Sequence, residues 1–446
     1  MSKKSLHPHL ENVNPQGEDR EMFDLLQRET FEYFLHEVNF KNGLIADKTA
    51  PDSPSSIAAI GLGLSAYIVG VERGLMSRSE AIQRTLKVLE FFARSPQGPE
   101  PDASGYKGFY YHFLDMKTGR RAWNCEISTI DTALLMAGIL NSSCYFTNNT
   151  HKENEIRRLA KSLYERVDWK WALNGESTLA LGWKPEGGFI PYRWNDKYSE
   201  ALILYILALG SPTFPISPDG YQEWTETFEW KKVYGLEYIY AGPLFIHQLS
   251  HVWIDFRGIH DEVNRKFGID YFENSRRATH AQRQYAIENP QGYLHYSENG
   301  WGFTASDGPG PVTLEVDGVE RQFYGYIARG APHGIDDGTI SPWAVVSSLP
   351  FAPEIVCSTV RHAIERLGLK KPRNNGFDAS FNPTFPERGK NPNGWVSPWK
   401  FGLNQGPIIL MIENERSELI WNLMKKSDVL RNGLKRAGFR DGWLDQ

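Results

Sequence analysis

Ser56–Gly70 reads SIAAIGLGLSAYIVG, a run whose side chains are small or apolar all the way round a helix. A helix without a polar face has to be surrounded by protein. The next periodic segment, Ala81–Ala93 (AIQRTLKVLEFFA), spaces its apolar residues three and four apart with charges between them, as an amphipathic helix does. The two segments predict a hairpin of one buried helix and one helix that faces water.

This alternation of buried and amphipathic segments recurs along the chain. Ser128–Leu140 (STIDTALLMAGIL) is mostly apolar, and Glu155–Arg166 (EIRRLAKSLYER) is charged on one face. A double ring of helices requires this pattern, because inner helices contact protein on all sides while outer helices contact water. A solenoid would require a sequence repeat of about 20–50 residues, and the sequence shows none. We therefore predict an all-α fold, an α/α toroid. Further helices are predicted in a first segment from Met22 to Leu35 and at Glu200–Leu209, Leu244–Val252, Arg276–Glu288, Pro342–Leu367 and Gly406–Met424.

The chain is long for a single hydrophobic core. Its 446 residues exceed the about 250–300 at which one core usually stops growing, which leaves either two domains or one large closed architecture. A closed ring of helices favours the second possibility. We therefore predict a flexible leader over residues 1–20 and a single domain over residues 21–446.

Charge and hydropathy argue against several classes of partner. Lys and Arg number 49 against 54 Asp and Glu, a net charge of -5 without a basic stripe that could neutralise nucleic acid. No stretch approaches the about 20 apolar residues that cross a bilayer, so no membrane span is predicted. The N-terminal MSKKSLHPHLENVNPQ lacks the apolar core of a secretory signal. We expect a cytoplasmic protein, or a periplasmic or secreted one if a signal was removed.

Aromatic residues make up 13% of the chain, including 14 Trp. Aromatic rings stack well on the C–H faces of sugars, but they are equally at home in a protein core, so composition leaves both interpretations open. Long connecting segments inside a compact domain are usually functional. We expect three such segments, rich in Gly, Pro and aromatic residues, to build a cleft at one end of the ring: residues 95–115, 182–196 and 289–311.

The first candidate catalytic cluster is Trp123–Asp131, where a polar loop runs into an apolar helix. Ser128 or Thr129 can cap this helix, which places Asp131 in its first turn, where the helix dipole favours a carboxylate. Glu126 and Asp131 are candidates for positioning a water molecule. The alternative is that both carboxylates cap or pair locally.

The second cluster is Tyr192–Glu200, which also leads into an apolar helix. Glu200 would lie at the rim of the ring beside aromatic side chains. Apolar surroundings raise the pKa of a carboxyl group, as a general acid requires, so Glu200 is the best candidate for that role. The alternative is an ordinary carboxylate at a helix start.

Other acidic and histidine positions have simpler explanations. Asp307 and Asp337 lie in glycine-flanked turns, where Asp often bonds the backbone. Glu413 lies in an apolar helical run and is either paired with an Arg or functional. His247 and His251 are four apart but lack a HExxH pattern, and the three cysteines lack CxxC spacing. No nucleotide-binding loop or nucleophile elbow is present. We therefore predict no metal and no cofactor, and hydrolysis by water activated on carboxylates.

Several stretches together resemble the glucoamylase-like domain family that includes the bacterial endo-β-1,2-glucanases of glycoside hydrolase family 144. The resemblance runs from Phe23 to Trp421. It implies an (α/α)6 toroid, a glycan cleft on one face, inverting cleavage of β-1,2-glucan, and Glu126, Asp131 and Glu200 in the cleft. The stretches are ISTIDTALLMAGIL, SEALILYILALGSP, SHVWIDFRGIHD, YFENSRRATHAQRQYAIENP, WGFTASDGP, DDGTISPWAVVSSLPFAPE and NQGPIILMIENERSELIW.

The chain departs from the expected family pattern at Asn404, where Asp-Gln-Gly-Pro would be expected, and at Glu415, where relatives tend toward an aromatic residue. An amide cannot act as a general base. The leading hypothesis is an endo-acting β-1,2-glucanase. The alternatives are an exo-acting sophorose-releasing enzyme, a transglycosylase and an inactive glucan-binding protein. The candidate substrate-binding residues are Trp194, Tyr192, Trp301, Asp307, Asp337, His251, Arg257 and Asn404.

Overall fold

The computed structural model describes residues 15–369, 376–386 and 392–446. Helices dominate it, and the strands are short and mostly paired in twos. The helices are α1 (Gly17–His36), α2 (Ile57–Glu72), α3 (Arg78–Arg94), α4 (Thr129–Tyr145), α5 (His151–Glu165), α6 (Leu202–Gly210), α7 (Asp219–Glu226), α8 (Glu262–Phe267), α9 (Tyr271–Glu288), α10 (Pro342–Ser347), α11 (Pro353–Glu365), α12 (Gly402–Ser417), α13 (Leu419–Met424) and α14 (Asp428–Arg436).

The strands lie in the connections between helices and form antiparallel pairs, except for the three-stranded sheet β5-β6-β7. They are β1 (Ser55–Ser56), β2 (Gly105–Tyr106), β3 (Phe109–Tyr110), β4 (Phe113–Leu114), β5 (Ile127–Ser128), β6 (Gly182–Lys184), β7 (Gly188–Phe189), β8 (Trp230–Val233), β9 (Leu236–Ile239), β10 (Ala305–Ser306), β11 (Val312–Val316), β12 (Val319–Phe323), β13 (Ile327–Ala328), β14 (Phe381–Asn382) and β15 (Trp395–Val396).

Six helical segments close an inner ring: α2, α4, α6, a pair of 3-10 helices over Leu244–Val252, α10 and α12. Helices α12, α2, α4 and α6 pack in that order, and α10 packs on α12. Hydrogen bonds join the 3-10 pair to both neighbours. Ser250 accepts from the Ile203 N–H of α6 at 3.1 Å, and Gln248 donates to the Ala344 carbonyl of α10 at 2.7 Å. The predicted all-α toroid is confirmed.

The outer helices cover the inner ring with amphipathic faces. α1 packs on α12, α3 packs on α2 and α5, and α11 packs on α10. α14, which comes last in the chain, covers α6. In contrast, α2 buries every residue from Ile57 to Gly70, as its composition predicts. Among the described residues, no helix is both long enough and apolar enough to cross a membrane.

The tightest contact in the ring lies between α2 and α4. A Cβ added at Gly138 would stand 2.0 Å from the Gly61 carbonyl oxygen, and a Cβ at Gly61 would stand 2.2 Å from the Leu134 carbonyl oxygen. Only glycine permits two helix backbones to approach so closely. The two glycines therefore set the spacing of the inner ring on this side.

Several boundaries differ from the predictions. Leu244–Val252 forms two 3-10 turns rather than an α-helix. The helix predicted over Pro342–Leu367 breaks into α10 and α11, with Pro353 opening the second. The helix predicted over Gly406–Met424 breaks at Glu418, whose φ is 56°. α1 begins at Gly17, within the leader predicted over residues 1–20, and residues 1–14 lie outside the described residues.

Replacing Gly138 with Ala should destabilise the fold, by about 1–3 kcal/mol, because the new methyl group forces α2 and α4 apart. Helix propensity alone predicts the opposite sign, since Ala is favoured over Gly by about 1 kcal/mol. Thermal or urea unfolding measures the change. Gly187→Ala is the control, because a Cβ there meets nothing within 4 Å. A Gly138→Ala protein as stable as the parent would contradict the proposed backbone contact.

Candidate active site

A cavity of about 420 Å³ opens where the inner helices begin. Each inner segment contributes residues from its N-terminal end, and four loops complete the wall. The lining residues are Asp47, Lys48, Ser56, His112, Phe113, Trp123, Ile130, Asp131, Leu134, Glu200, Phe245, Leu249, Ala305, Asp307, Tyr326, Trp343, Phe401 and Leu403.

The cavity gathers four carboxyl groups, those of Asp47, Asp131, Glu200 and Asp307. The partial positive charge at a helix N-terminus favours carboxylates in the first turn. Closure of the ring points several such ends at one space. Of the four, Asp131 stands in the first turn of an inner helix, where this partial charge favours its carboxylate.

Glu200 stands two residues before α6 and faces the cavity together with Phe245 and Trp343. Its backbone carbonyl accepts the Ser250 hydroxyl at 3.0 Å, which anchors the segment to the neighbouring inner element. Burial, with a smaller contribution from the charge of Asp131, raises the pKa of Glu200 to about 7. No ion pair joins its carboxyl to any described residue, so Glu200 has the environment of a group that holds a proton near neutral pH.

Asp131 lies in the first turn of α4 and is 8% exposed. The helix cap Ser128 accepts the Asp131 N–H at 3.2 Å and donates its own hydroxyl to the Asp131 carboxylate. Nε2 of His112 stands 3.6 Å from Oδ2 of Asp131. Asp131 is thus tied to its helix cap, as the local interpretation predicts, and it also faces the cavity.

Glu126 does not line the cavity. Its Oε1 contacts Nδ1 of His112 at 3.1 Å, so the imidazole separates it from the cavity. The hydrogen bond with His112 outweighs burial and lowers the pKa of Glu126 to about 2. The prediction that placed Glu126 in the cleft itself is corrected: the residue stands one layer behind.

The sequence patterns missed Asp47 and His112. Asp47 follows no helix-start pattern. Its loop is brought to the ring by two isolated backbone bridges, Ala46 to Ser55 and Lys48 to Phe401. Burial raises the pKa of Asp47 to about 6, against the positive charges of Lys48 and His112. His112 belongs to the loop predicted to build the cleft, and a lone histidine within the aromatic run YYHF was the available signal.

Aromatic rings form much of the wall. The imidazole of His112 stacks on Phe113 at 4.0 Å between ring centroids, and Phe113 contacts Trp123 at 5.0 Å. On another side, Tyr326 contacts Phe401 at 5.8 Å. Trp123 is 61% exposed, so its ring is open to a ligand. Position thus assigns these rings to the cavity rather than to the core alone.

Asp307 is the one predicted binding residue that lines the cavity. It follows strand β10, and its Oδ2 accepts the Ser397 hydroxyl at 2.9 Å. Its backbone carbonyl accepts the Ser380 hydroxyl at 2.7 Å. These bonds hold the Asp307 carboxylate toward the open space.

The predicted aromatic binding residues lie elsewhere. Trp301 is fully buried and donates its indole N–H to Thr359 at 3.0 Å, so no face is free to stack a sugar. Trp194 donates to Thr129 at 3.0 Å and packs on the core, while Tyr192 is 67% exposed. Neither of the last two lines the cavity, and their backbone is hydrogen-bonded to Leu179 and Leu181, just before β6. Their predicted role in the cleft is corrected.

Asp337, His251 and Arg257 also take structural positions. Asp337 forms a fully buried ion pair with Arg329 at 2.7 Å. Nε2 of His251 is hydrogen-bonded to the Ser275 hydroxyl at 3.0 Å, and burial lowers the pKa of His251 to about 3. Arg257 pairs with Asp255 at 2.7 Å beyond the C-terminal end of the 3-10 pair, on the opposite side of the ring from the cavity.

Asn404 lies in the first turn of α12 and is 1% exposed. Its neighbours Phe401 and Leu403 line the cavity, but Asn404 does not. Its amide nitrogen has no hydrogen-bond partner within residues 15–369, 376–386 and 392–446. Position 404 therefore stands just behind the wall.

The two acidic residues late in α12 are paired and lie away from the cavity. Glu413 contacts Arg73 at 2.8 Å and Gln27 at 3.2 Å, as the paired interpretation of the sequence predicts. Glu415 pairs with Arg20 of α1 at 3.0 Å, so it does not reshape the cleft. Among the described residues, no group of three or more His, Cys, Asp and Glu is placed to hold a metal ion.

Comparison with known proteins agrees with this architecture. The model of the Glycoamylase family, described as "Putative glucoamylase", matches residues 191–428, more than half of the chain. The chain belongs to this family. The crystal structure of a protein described as a putative glucoamylase, from Bacteroides uniformis ATCC 8492, is 32% identical in sequence. It superimposes with a TM-score of 0.83, and the match covers 97% of this chain and 100% of that one.

Two relatives of this Glycoamylase protein carry names that specify a linkage. An endo-β-1,2-glucanase from Chitinophaga pinensis, solved with sophorotriose and glucose, is 26% identical, with a TM-score of 0.83 over 96% of this chain and 100% of that chain. An exo β-1,2-glucooligosaccharide sophorohydrolase (non-reducing end) from Parabacteroides distasonis is 27% identical over 94% of this chain. The chain spans 58% of that second protein's length.

Asp337→Asn should destabilise the protein strongly, by about 3–5 kcal/mol, because it leaves the Arg329 guanidinium buried without its counter-charge. Thermal unfolding measures the loss. Asp307→Asn is the matched control, since the same change in the half-buried cavity residue should alter stability by less than about 1 kcal/mol. Equal stability of the two variants would mean that the buried ion pair is not structural.

Proposed function

We propose that the protein hydrolyses β-1,2-glucan, as an endo-acting and inverting glycoside hydrolase without a cofactor. One observation carries the proposal: a carboxyl group with a raised pKa, Glu200, shares an aromatic-lined cavity with Asp131, a carboxylate held by Ser128 and His112. Two carboxyl groups in contrasting environments are the usual basis for assigning acid and base in a glycosidase.

In this mechanism Glu200 is the general acid. It donates its proton to the glycosidic oxygen as the bond to the anomeric carbon breaks. Asp131 orients a water molecule on the other face of the sugar and accepts a proton as the water attacks. The products are two shorter glucans, and the enzyme is reset when Asp131 releases its proton to solvent and Glu200 regains one. Inversion requires the two carboxyl groups to stand about 6.5–9.5 Å apart to accommodate the water.

The substrate class rests on the relatives and on the wall of the cavity. The names of the Chitinophaga and Parabacteroides proteins both specify β-1,2-linked glucose chains. The exposed ring of Trp123 offers the flat surface on which a sugar stacks. Asp307 adds a hydrogen-bond acceptor for sugar hydroxyls. Position 404 is an amide, but in this mechanism the base is Asp131, so the proposal requires no acid at position 404.

The exo mode is the second candidate. The volume of about 420 Å³ lies toward the lower end of the about 300–1,000 Å³ typical of ligand sites, which suits enclosure of a short stretch of chain. None of the residues from Asp102 to Tyr111 lines the cavity, and Phe109 packs on Trp169 in the core, so this loop favours neither mode. Products therefore have to distinguish the two modes.

Glu200→Gln should lower kcat on linear β-1,2-glucan by about 100-fold or more, because loss of a general acid costs about 10²–10⁴ in rate. Chromatography of the products follows the reaction. Glu237→Gln, the same change at an exposed strand position, should leave activity unchanged. Retention of full activity by Glu200→Gln would exclude it as the acid.

Mixed short oligosaccharides from the parent protein would support the endo mode. A single disaccharide would support the exo mode, and elongated chains would support transglycosylation. Binding without turnover would make Asn404 the explanation. In that case Asn404→Asp should restore activity.

The rate should fall on the alkaline side with an apparent pKa near 7. Glu200 acts in its protonated form, so kcat/KM decreases about tenfold per pH unit once pH exceeds the pKa of about 7. A pH series of kcat/KM on a soluble β-1,2-glucan measures this limb. A rate that stays constant to pH 9 would contradict the assignment.

A further inference from the structure

His112 connects two acidic residues that the reaction otherwise leaves unrelated. Nδ1 lies 3.1 Å from Oε1 of Glu126, and Nε2 lies 3.6 Å from Oδ2 of Asp131. Glu126 does not line the cavity, whereas His112 and Asp131 do. The imidazole therefore forms the only side-chain connection, among the described residues, between Glu126 and the cavity.

The imidazole ring is held in place on several sides. It stacks nearly parallel on Phe113, with ring planes 11° apart. The His112 N–H donates to the Glu126 carbonyl at 3.0 Å, and the His112 carbonyl accepts the N–H of Ile57 at the start of α2 at 3.3 Å. The ring nitrogens thus keep their directions toward two carboxylates. A fixed imidazole that faces a carboxylate on each side fits the doubly protonated form, in which both nitrogens donate.

The charges around His112 favour this form. Burial opposes protonation, but the charges of Asp131, Glu126 and Asp47 outweigh it and raise the pKa of His112 to about 9. Lys48 is the other cation of the cavity wall, and its ammonium lies 5.2 Å from the centre of the Phe401 ring. Lys184 acts on Glu126 from β6. An imidazolium here offsets part of the negative charge that four carboxyl groups bring to the cavity.

We propose that His112 is a positioning residue for the proposed hydrolysis: its imidazolium holds the Asp131 carboxylate in place to orient water, and Glu126 orients the imidazolium from behind. This inference rests on the proposed function. His112 transfers no proton in the reaction. When Asp131 accepts a proton from water, the imidazolium stays protonated and remains paired with Glu126.

A purely structural role would make a different prediction. If His112 only joined its loop to α4, its loss would lower stability and leave the pH dependence of the remaining activity unchanged. If the His112 imidazolium holds the Asp131 carboxylate, its loss removes the positive charge that stands 3.6 Å from Oδ2 and makes the ionised carboxylate less favourable. The acidic limb of kcat/KM would then move to higher pH.

The test compares pH profiles of kcat/KM on linear β-1,2-glucan for the parent, His112→Gln and Glu126→Gln. Glutamine keeps a hydrogen-bond donor but carries no charge. We expect the acidic limb to move up by about one pH unit or more in His112→Gln, and by less in Glu126→Gln. His260→Gln is the matched control, because His260 also pairs with a carboxylate but does not line the cavity. Its Nδ1 stands 3.4 Å from Oδ2 of Asp441. If the acidic limb of kcat/KM lies at the same pH in the folded variants as in the parent, the inference is overturned.

A second measurement is independent of activity. NMR titration of histidine-labelled protein should find His112 still protonated at pH 7.5, where an ordinary histidine is neutral, and Glu126→Gln should lower its titration midpoint. A neutral imidazole at pH 7.5 would overturn the inference. A protein that cleaves no β-1,2-glucan while His112 titrates as expected would instead contradict the proposed function. Thermal unfolding identifies variants that fail to fold.

Discussion

The structure depends on the close approach of inner helices that run in the same direction around the ring. At the contact of α2 with α4, Gly61 and Gly138 bring backbone against backbone, and no side chain larger than hydrogen fits. Because the inner segments share one direction, their N-terminal ends all open on one side. The position of the cavity is therefore a consequence of ring closure.

Acidic residues at the two ends of the ring have different environments. At the C-terminal end, Glu413 is paired with Arg73 and Asp255 with Arg257, and Lys425 also reaches Asp255 at 2.7 Å. At the N-terminal end, Glu200 has apolar neighbours and no ion-pair partner among the described residues. A carboxyl group left without a cation and withdrawn from water retains its proton, which is the property that the proposed acid requires.

The sequence predicted the placement of the site best where a local rule applied. Asp131 and Glu200 precede or open apolar helices, and both face the cavity. Rules based on aromatic or acidic clusters failed at Trp301 and Asp337, because an aromatic ring or a turn carboxylate serves the core as readily as a ligand. His112 was missed because nothing in its own segment indicates that two carboxylates meet it from elsewhere.

The apolar and amphipathic periodicities by themselves determined that this chain forms a double ring of helices, since a helix without a polar face has to lie inside. The sequence also shows which ends of those helices carry acidic residues. Only the tertiary structure decided which acids share a cavity and which are neutralised. Burial and ion pairing depend on neighbours distant in the chain, such as Arg73 for Glu413 and His112 for Asp131, and these neighbours set the charge on each group.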